Sequence, residues 1–171
     1  TVTGPAGMTT AGFAPSPHDA TGRLEPRPGD PVRPASPHDE LAHRGDGGLW
    51  ASAADLAAWL AVQCRVTDAD RRGDGDRVLH GPTLRSMHRP LAFVDPAWTL
   101  AQGLGWAMER FDGATWVRHT GSMDGFRSIA LVRPSDGIGV AVLANGSVRP
   151  NELARTIARA LLSGSGRVRS E

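Results

Sequence analysis

The segment 138–145 constrains the fold most, because it has the pattern of a strand that is apolar on both faces. Five aliphatic side chains alternate along it, three toward one face and two toward the other: Ile138, Val140 and Val142, then Ala141 and Leu143. Successive side chains of a strand point to opposite faces of the sheet. A strand that is apolar on both faces has to be covered on both faces. The sequence therefore predicts a sheet with another layer on each side.

The rest of the C-terminal third continues this pattern. Alternating apolar residues predict four strands in all: 103–111, 114–120, 126–133 and 138–145. Asp112-Gly113, between the first two, is a strong signal for a two-residue hairpin turn. A closing helix is predicted over 152–162, and Gly164 is its expected stop. These elements predict an α+β fold in which an antiparallel β-sheet is flanked by helices.

Helical spacing replaces strand spacing further upstream. Ser52 is a good N-cap, and Asp55 three residues later completes a possible capping box. The apolar residues that follow at helical spacing lie on one face: Leu56, Trp59, Leu60 and Cys64. A second, short helix is expected from Thr83 and has to end before Pro90.

These patterns divide the chain into three stretches that differ in expected secondary structure. Residues 1–47 are rich in Pro, Gly, Asp and His and are expected to be mainly loop. Residues 48–102 are expected to be helical. Residues 103–171 are expected to form the antiparallel sheet and the C-terminal helix.

Composition excludes several classes of function. The 171 residues carry 19 Lys or Arg and 18 Asp or Glu, a net charge of +1. Such a balance gives no basic surface for nucleic acid, and no apolar run is long enough for a membrane helix. The chain contains neither lysine nor tyrosine. Because arginine does not deprotonate, a mechanism that needs a lysine base or a phenolate is closed to this chain alone.

The tetrapeptide His119-Thr120-Gly121-Ser122, where a predicted strand ends, is the candidate site. His119 and Gly121 share one face of that strand, and the glycine allows another group to approach the backbone. The backbone N–H of Ser122 could stabilise a developing oxyanion. The alternative is a strand-end histidine that is hydrogen-bonded into a turn.

An ordered set of segments gives this tetrapeptide a context. The glycine-glycine-leucine of 47–49, followed by Ser52 and Asp55-Leu56, opens one of them. Seven further segments belong to the set: 5–13, 83–90, 103–106, 119–122, 125–128, 137–140 and 143–146. Together, over about 5–162, they resemble the β-lactamase-related serine hydrolases, which include class C β-lactamases, D-Ala-D-Ala carboxypeptidases and related esterases.

This resemblance implies a serine acyl-enzyme mechanism with the site on the predicted strand. His119 would contact or polarise the substrate carboxylate or the catalytic serine–tyrosine pair. Thr120 and Gly121 would bind substrate, and the Ser122 amide would be one of two oxyanion donors. The resemblance implies no cofactor and no metal. The substrate would be a small molecule: a β-lactam, a D-Ala-D-Ala peptide or an ester.

The family's Ser-x-x-Lys and Tyr-x-Asn motifs are absent from the sequence. Because both precede these segments in the family, we expect residues 1–171 to be the C-terminal part of one domain. Alone it is expected to be inactive, with the missing N-terminal half as its partner. A degenerate, non-catalytic member that binds peptidoglycan-like peptides or a protein partner is the alternative, and a chain that does not fold alone is a third. The compartment stays open.

Two other patterns resemble sites without fitting them. His38 and His43 stand five residues apart, whereas a helical zinc motif needs four. Ser86 and Arg89 imitate Ser-x-x-Lys, but arginine cannot act as the base. We therefore expect a solvated loop and a short surface helix there.

Overall fold

The computed structural model describes residues 2–17, 19–25, 29–35, 45–65, 78–123 and 125–168. Its helices are α1 (Thr3–Ala6), α2 (Ala53–Cys64), α3 (Gly81–Met87) and α4 (Pro150–Val168). Its strands are β1 (Arg23–Leu24), β2 (Arg33–Pro34), β3 (Ala92–Phe93), β4 (Leu100–Gln102), β5 (Ala107–Phe111), β6 (Ala114–Met123), β7 (Phe126–Arg133) and β8 (Ile138–Ala144). A 3₁₀ turn, Pro134–Asp136, joins β7 to β8.

The main sheet has six antiparallel strands in the order β3-β4-β5-β6-β7-β8, so each strand pairs with its neighbour in sequence. The predicted α+β fold, with an antiparallel sheet flanked by helices, is confirmed. The Asp112-Gly113 turn has positive φ at both residues, 50° and 72°, as a tight hairpin turn requires.

Several elements differ from the sequence prediction. β6 continues to Met123 instead of ending at 120, so the candidate tetrapeptide lies within the strand, and α3 begins at Gly81 instead of at Thr83. The segment 48–102 holds the two expected helices but also β3 and β4, which are too short for their alternation to be visible in the sequence. β5 begins at Ala107 rather than at 103, because the amide of Gly103 bonds the carbonyl of Trp106 in a turn (2.8 Å). The predicted stop at Gly164 is wrong, since α4 continues to Val168. A glycine inside a helix costs about 1 kcal/mol, which does not by itself end it.

The two faces of the sheet bury separate apolar clusters. The cluster under α4 contains Trp116, Ile129, Leu131, Ile138, Val140, Val142, Ala154 and Ala158. The cluster under α2 and α3 contains Leu60, Ala101, Trp106, Met108, Val117 and Val132, with Ala141 packed against it. Side chains of β8 therefore reach both layers, as the pattern of 138–145 predicted. Leu143 is the exception, because 41% of it is exposed.

Helix α2 begins with the predicted capping box and is also tied to the N-terminal segment. The Ser52 hydroxyl accepts from the Asp55 amide (3.1 Å), and the Ser52 amide donates to the Asp55 carboxylate (2.9 Å). The Thr10 amide (3.1 Å) and the Thr10 hydroxyl also donate to that carboxylate. These hydrogen bonds, first that of the Thr10 hydroxyl, hold the pKa of buried Asp55 well below its usual range.

Candidate functional site

Strand β6 is paired on both sides along only part of its length. Its ladder with β5 stops at the pair Ala107–Arg118, whereas its ladder with β7 continues to the pair Met123–Phe126. Within the described ranges, residues 119–123 therefore pair with β7 alone. We call this the open edge of β6, and it contains all four residues of the sequence-predicted site.

Hairpin geometry decides which backbone groups face the open edge. The residues that close a two-residue hairpin exchange hydrogen bonds, and every second residue along the strand repeats that direction. Phe111 and Ala114 close the β5–β6 hairpin, so Ala114 directs its N–H and C=O toward β5. The same alternation continues past the end of β5. The backbone N–H and C=O groups of Thr120 and Ser122, the Ser122 amide among them, therefore point into the open edge.

The side chains of the tetrapeptide divide between the two faces of the sheet. By strand alternation, His119 and Gly121 lie on the face of α2 and α3 with buried Val117, as the sequence predicted. Thr120 and Ser122 point toward the α4 face. Thr120 and Ser122 therefore face the open edge through their backbone groups, and His119 presents its side chain beside Gly121.

The environment of His119 differs from the alternative of a histidine bonded into a turn. Its side chain is exposed and makes no hydrogen bond within the part of the chain that the structure describes. Its ring lies perpendicular to the indole of Trp106, with centroids 6.4 Å apart. The preceding residue, Arg118, is engaged on the opposite face, where its Nε lies 3.1 Å from the carboxylate of Glu109. His119 is therefore the available imidazole at the open edge.

Sequence reasoning did not single out the side chains behind His119. Trp106 is 4% exposed and also lies perpendicular to His88, with centroids 6.0 Å apart. His88 Nε2 is 2.9 Å from Oε1 of Gln63, a fully buried residue of α2. Burial lowers the pKa of His88. The only sequence signal was the order of the segments 83–90 and 103–106, which does not indicate contact.

The N-terminal segment crosses the end of the sheet next to the open edge. The Arg23 amide donates to the Gly125 carbonyl (3.2 Å), and Asn145 Nδ2 donates to the Thr21 carbonyl (3.2 Å). A Cβ atom at Gly125 would overlap the backbone of Arg23, so glycine is required there. The ring of Trp50 packs edge-on against Phe126 at 5.4 Å. The predicted loop region therefore forms one margin of the site.

The remaining candidate patterns are Ser86 with Arg89 and the pair His38 and His43. Ser86 donates from its hydroxyl to the Pro82 carbonyl within α3 (2.9 Å), as a surface helix residue does. His38 and His43 lie outside the described residues. Among the described residues, no group of three His, Cys, Asp or Glu side chains could hold a metal ion. None of the described helices is long and apolar enough to cross a bilayer.

Comparison with known proteins identifies a family and a fold. The family model described as Beta-lactamase matches residues 1–164. The octameric penicillin-binding protein homologue from Pyrococcus abyssi is 25% identical with a TM-score of 0.77, over 95% of this chain and 36% of that one. A class C beta-lactamase is 17% identical with a TM-score of 0.70, over 95% of this chain and 49% of that one.

A third solved structure is similar at the level of the fold. The D-stereospecific amidohydrolase from Streptomyces sp. is 17% identical with a TM-score of 0.66, over 83% of this chain and 41% of that one. The chain thus spans half or less of the length of these structures. A comparison with curated proteins by sequence found no match.

Proposed function

The chain belongs to the beta-lactamase family, and we propose that it forms the third-motif wall of a serine hydrolase site. The single observation that carries this proposal is the open edge of β6. There the backbone groups of Thr120 and Ser122 point into the unpaired edge of the described sheet, beside the exposed ring of His119. A carbonyl substrate that binds along this edge meets fixed donors without any reorganisation of the protein.

Each residue has a distinct role in this proposal. The Ser122 amide is one of two oxyanion donors, and a single such donor contributes about 100- to 1000-fold to kcat. Thr120 binds substrate through its edge-facing backbone groups, since its side chain points toward the other face. Gly121 leaves the surface beside His119 flat. His119 contacts the substrate carboxylate or polarises the catalytic serine–tyrosine pair.

The nucleophile and its bases have to come from outside this chain. The sequence has no Ser-x-x-Lys and no tyrosine, so the partner we propose is an N-terminal half of the same domain. The outer edge of β8 supports this, because β8 pairs only with β7 among the described strands. The substrate we propose is a β-lactam, a D-Ala-D-Ala peptide or a small ester.

Complementation tests this function directly. The chain is combined with an N-terminal half that carries Ser-x-x-Lys and Tyr-x-Asn, and hydrolysis of a chromogenic cephalosporin, a D-Ala-D-Ala peptide and a nitrophenyl ester is measured. His119→Ala should abolish most of the activity that appears. His80→Ala is the matched control, because His80 is exposed at the start of α3 and its side chain makes no capping hydrogen bond. Full activity in His119→Ala would remove His119 from the mechanism.

A binding protein without catalysis is the second candidate. It is favoured by one observation, that the open edge is formed in a chain that has no nucleophile motif. Calorimetric titration of the chain alone with a D-Ala-D-Ala peptide tests it. Heat that disappears in His119→Ala would support binding at the open edge, and no heat at millimolar peptide would count against it.

A further inference from the structure

The indole of Trp106 lies between two imidazole rings, each nearly perpendicular to it at an interplanar angle of 87°. We propose that Trp106 is the positioning residue for His119 and that His88, bonded to Gln63, supports the indole from behind. The consequence for catalysis rests on the proposed function. The positioning itself is a property of this chain and can be measured without any substrate.

His119 needs such a support because nothing else in the described structure orients its ring. The side chain is exposed, and the Trp106 ring is its one aromatic contact among the described residues. Perpendicular packing is a favoured arrangement of aromatic rings because the positive edge of one meets the negative face of the other. The contact therefore selects an orientation of the imidazole that solvent alone would not select.

Trp106 is itself held by backbone contacts. Its carbonyl accepts from the Gly103 amide (2.8 Å) and from Nε2 of Gln102 (3.1 Å). A Cβ atom at Gly103 would lie 2.6 Å from the Met87 carbonyl oxygen, so the turn before Trp106 presses against the end of α3. One step beyond the pair Ala107–Arg118, the register brings Trp106 opposite His119.

His88 is suited to support the indole because its ring is held by Gln63, and partial burial disfavours its charged form. Burial lowers its pKa, and a buried charge beside an apolar cluster would be costly. With the Gln63 oxygen as acceptor, Nε2 of His88 carries the hydrogen. The buried Nδ1 then has no hydrogen-bond partner among the described residues. The His88 ring is therefore anchored at Nε2 alone and meets Trp106 edge to face.

The test uses proton NMR of the histidine and tryptophan rings in the 171-residue chain, with His119→Asn to assign the His119 signals. We expect nuclear Overhauser contacts between the His119 and Trp106 rings. We also expect the indole to displace the chemical shifts of the His119 ring protons. Trp106→Phe should keep part of that displacement and Trp106→Leu should lose it, while the exposed His80 ring stays unchanged. His88→Ala should weaken the contact and His88→Phe should preserve it.

Two results would contradict the positioning role of Trp106. The absence of a His119–Trp106 contact in the unsubstituted chain would overturn the proposal, as would identical His119 signals in folded Trp106→Leu. If Trp106→Leu does not fold, the unsubstituted chain and Trp106→Phe still decide. An unchanged contact in His88→Ala would remove His88 from the proposal.

The effect on catalysis is measured separately in the complemented enzyme. Trp106→Leu should lower kcat by up to about 100-fold, as misplacement of a catalytic group by about 1 Å can do, and Trp106→Phe should restore most of it. An unchanged kcat in Trp106→Leu, measured alongside a ring contact that is lost, would overturn the role in catalysis. Failure of the proposed function has a different signature: the NMR contact is present, but neither hydrolysis nor ligand binding involves His119.

Discussion

Gly121 of β6 and Ser128 of β7 lie directly opposite each other, and a Cβ atom added at Gly121 would overlap the Ser128 hydroxyl oxygen. The Ser128 side chain thus fills the space that a larger residue at 121 would need. This pair keeps the surface next to His119 flat, and it links the predicted site to the packing of the sheet.

We expect Gly121→Ala to destabilise the chain by about 1 kcal/mol, the lower end of the usual cost of overpacking, because the atom that has to move is a side-chain hydroxyl. Removing the opposing oxygen relieves the overlap, since the Ser128 Cβ atom would lie at an ordinary 3.6 Å. The double variant Gly121→Ala/Ser128→Ala should therefore regain most of the loss. Urea unfolding of both variants measures this, with Ser128→Ala alone as the control. A single variant that unfolds at the same urea concentration as the unsubstituted chain would contradict the steric argument.

Asp55 should make stability depend on pH in the acid range. Its folded-state pKa is lowered, so it contributes stability above its unfolded pKa of about 3.9, and that contribution is lost as pH falls toward the folded value. We expect the melting temperature to fall below about pH 5 and to fall less in Asp55→Asn. At pH 7, Asp55→Asn should cost about 1–2 kcal/mol through the weakened cap and the tie to Thr10.

The matched control for Asp55 is Glu152→Gln. Glu152 is also acidic and in the first turn of a helix, but it is exposed and pairs only loosely with Arg155 at 3.5 Å. The two variants are compared in thermal melts from pH 7 to pH 3. Equal pH profiles for both would show that the buried hydrogen bonds of Asp55 are not the cause.

The outer edge of β8 should make the isolated chain self-associate. An unpaired strand edge is a template for another strand, and exposed Leu143 adds apolar surface beside it. We expect Leu143→Lys to shift sedimentation toward monomer with little change in melting temperature. Leu153→Lys on α4, where Leu153 is 53% exposed, controls for the added charge. An unsubstituted chain that stays monomeric at high concentration would contradict this prediction.

The chain should unfold cooperatively, because apolar clusters cover both faces of its sheet. Trp116 is fully buried in the cluster under α4, and Trp116→Ala should cost about 3–5 kcal/mol. Trp98→Ala is the control, since Trp98 is 60% exposed. Circular dichroism during heating measures both. A gradual, non-cooperative melt of the unsubstituted chain would support the hypothesis that it does not fold alone.

Much of the fold could be predicted because it depends on local physics. The capping box needs only Ser52 and Asp55 at the right spacing. The β5–β6 hairpin needs only Asp112-Gly113 between two segments of alternating apolar residues. The two-sided burial of 138–145 follows from the period of a strand. These features involve residues within one element or turn, so the sequence carries them without knowledge of distant parts.

The candidate tetrapeptide was found in the sequence, but its arrangement was not. Alternation along one strand is enough to put His119 and Gly121 on the same face. The open edge depends instead on where β5 begins, which the Gly103–Trp106 turn decides. No pattern in the sequence marks the end of that ladder, because it results from the contact of the turn with α3.

The sequence by itself determined the antiparallel sheet and its two covered faces, since both follow from short-range spacing, whereas the choice of the four candidate residues depends on the family resemblance of the ordered segments. Only the tertiary structure decided that Trp106 meets His119, that Thr10 binds Asp55 and that Ser122 faces an edge with no partner strand among the described residues. The physical reason is that these contacts join residues far apart or from different elements. Their distances depend on how the helices and loops pack on the sheet, which side-chain periodicity does not encode.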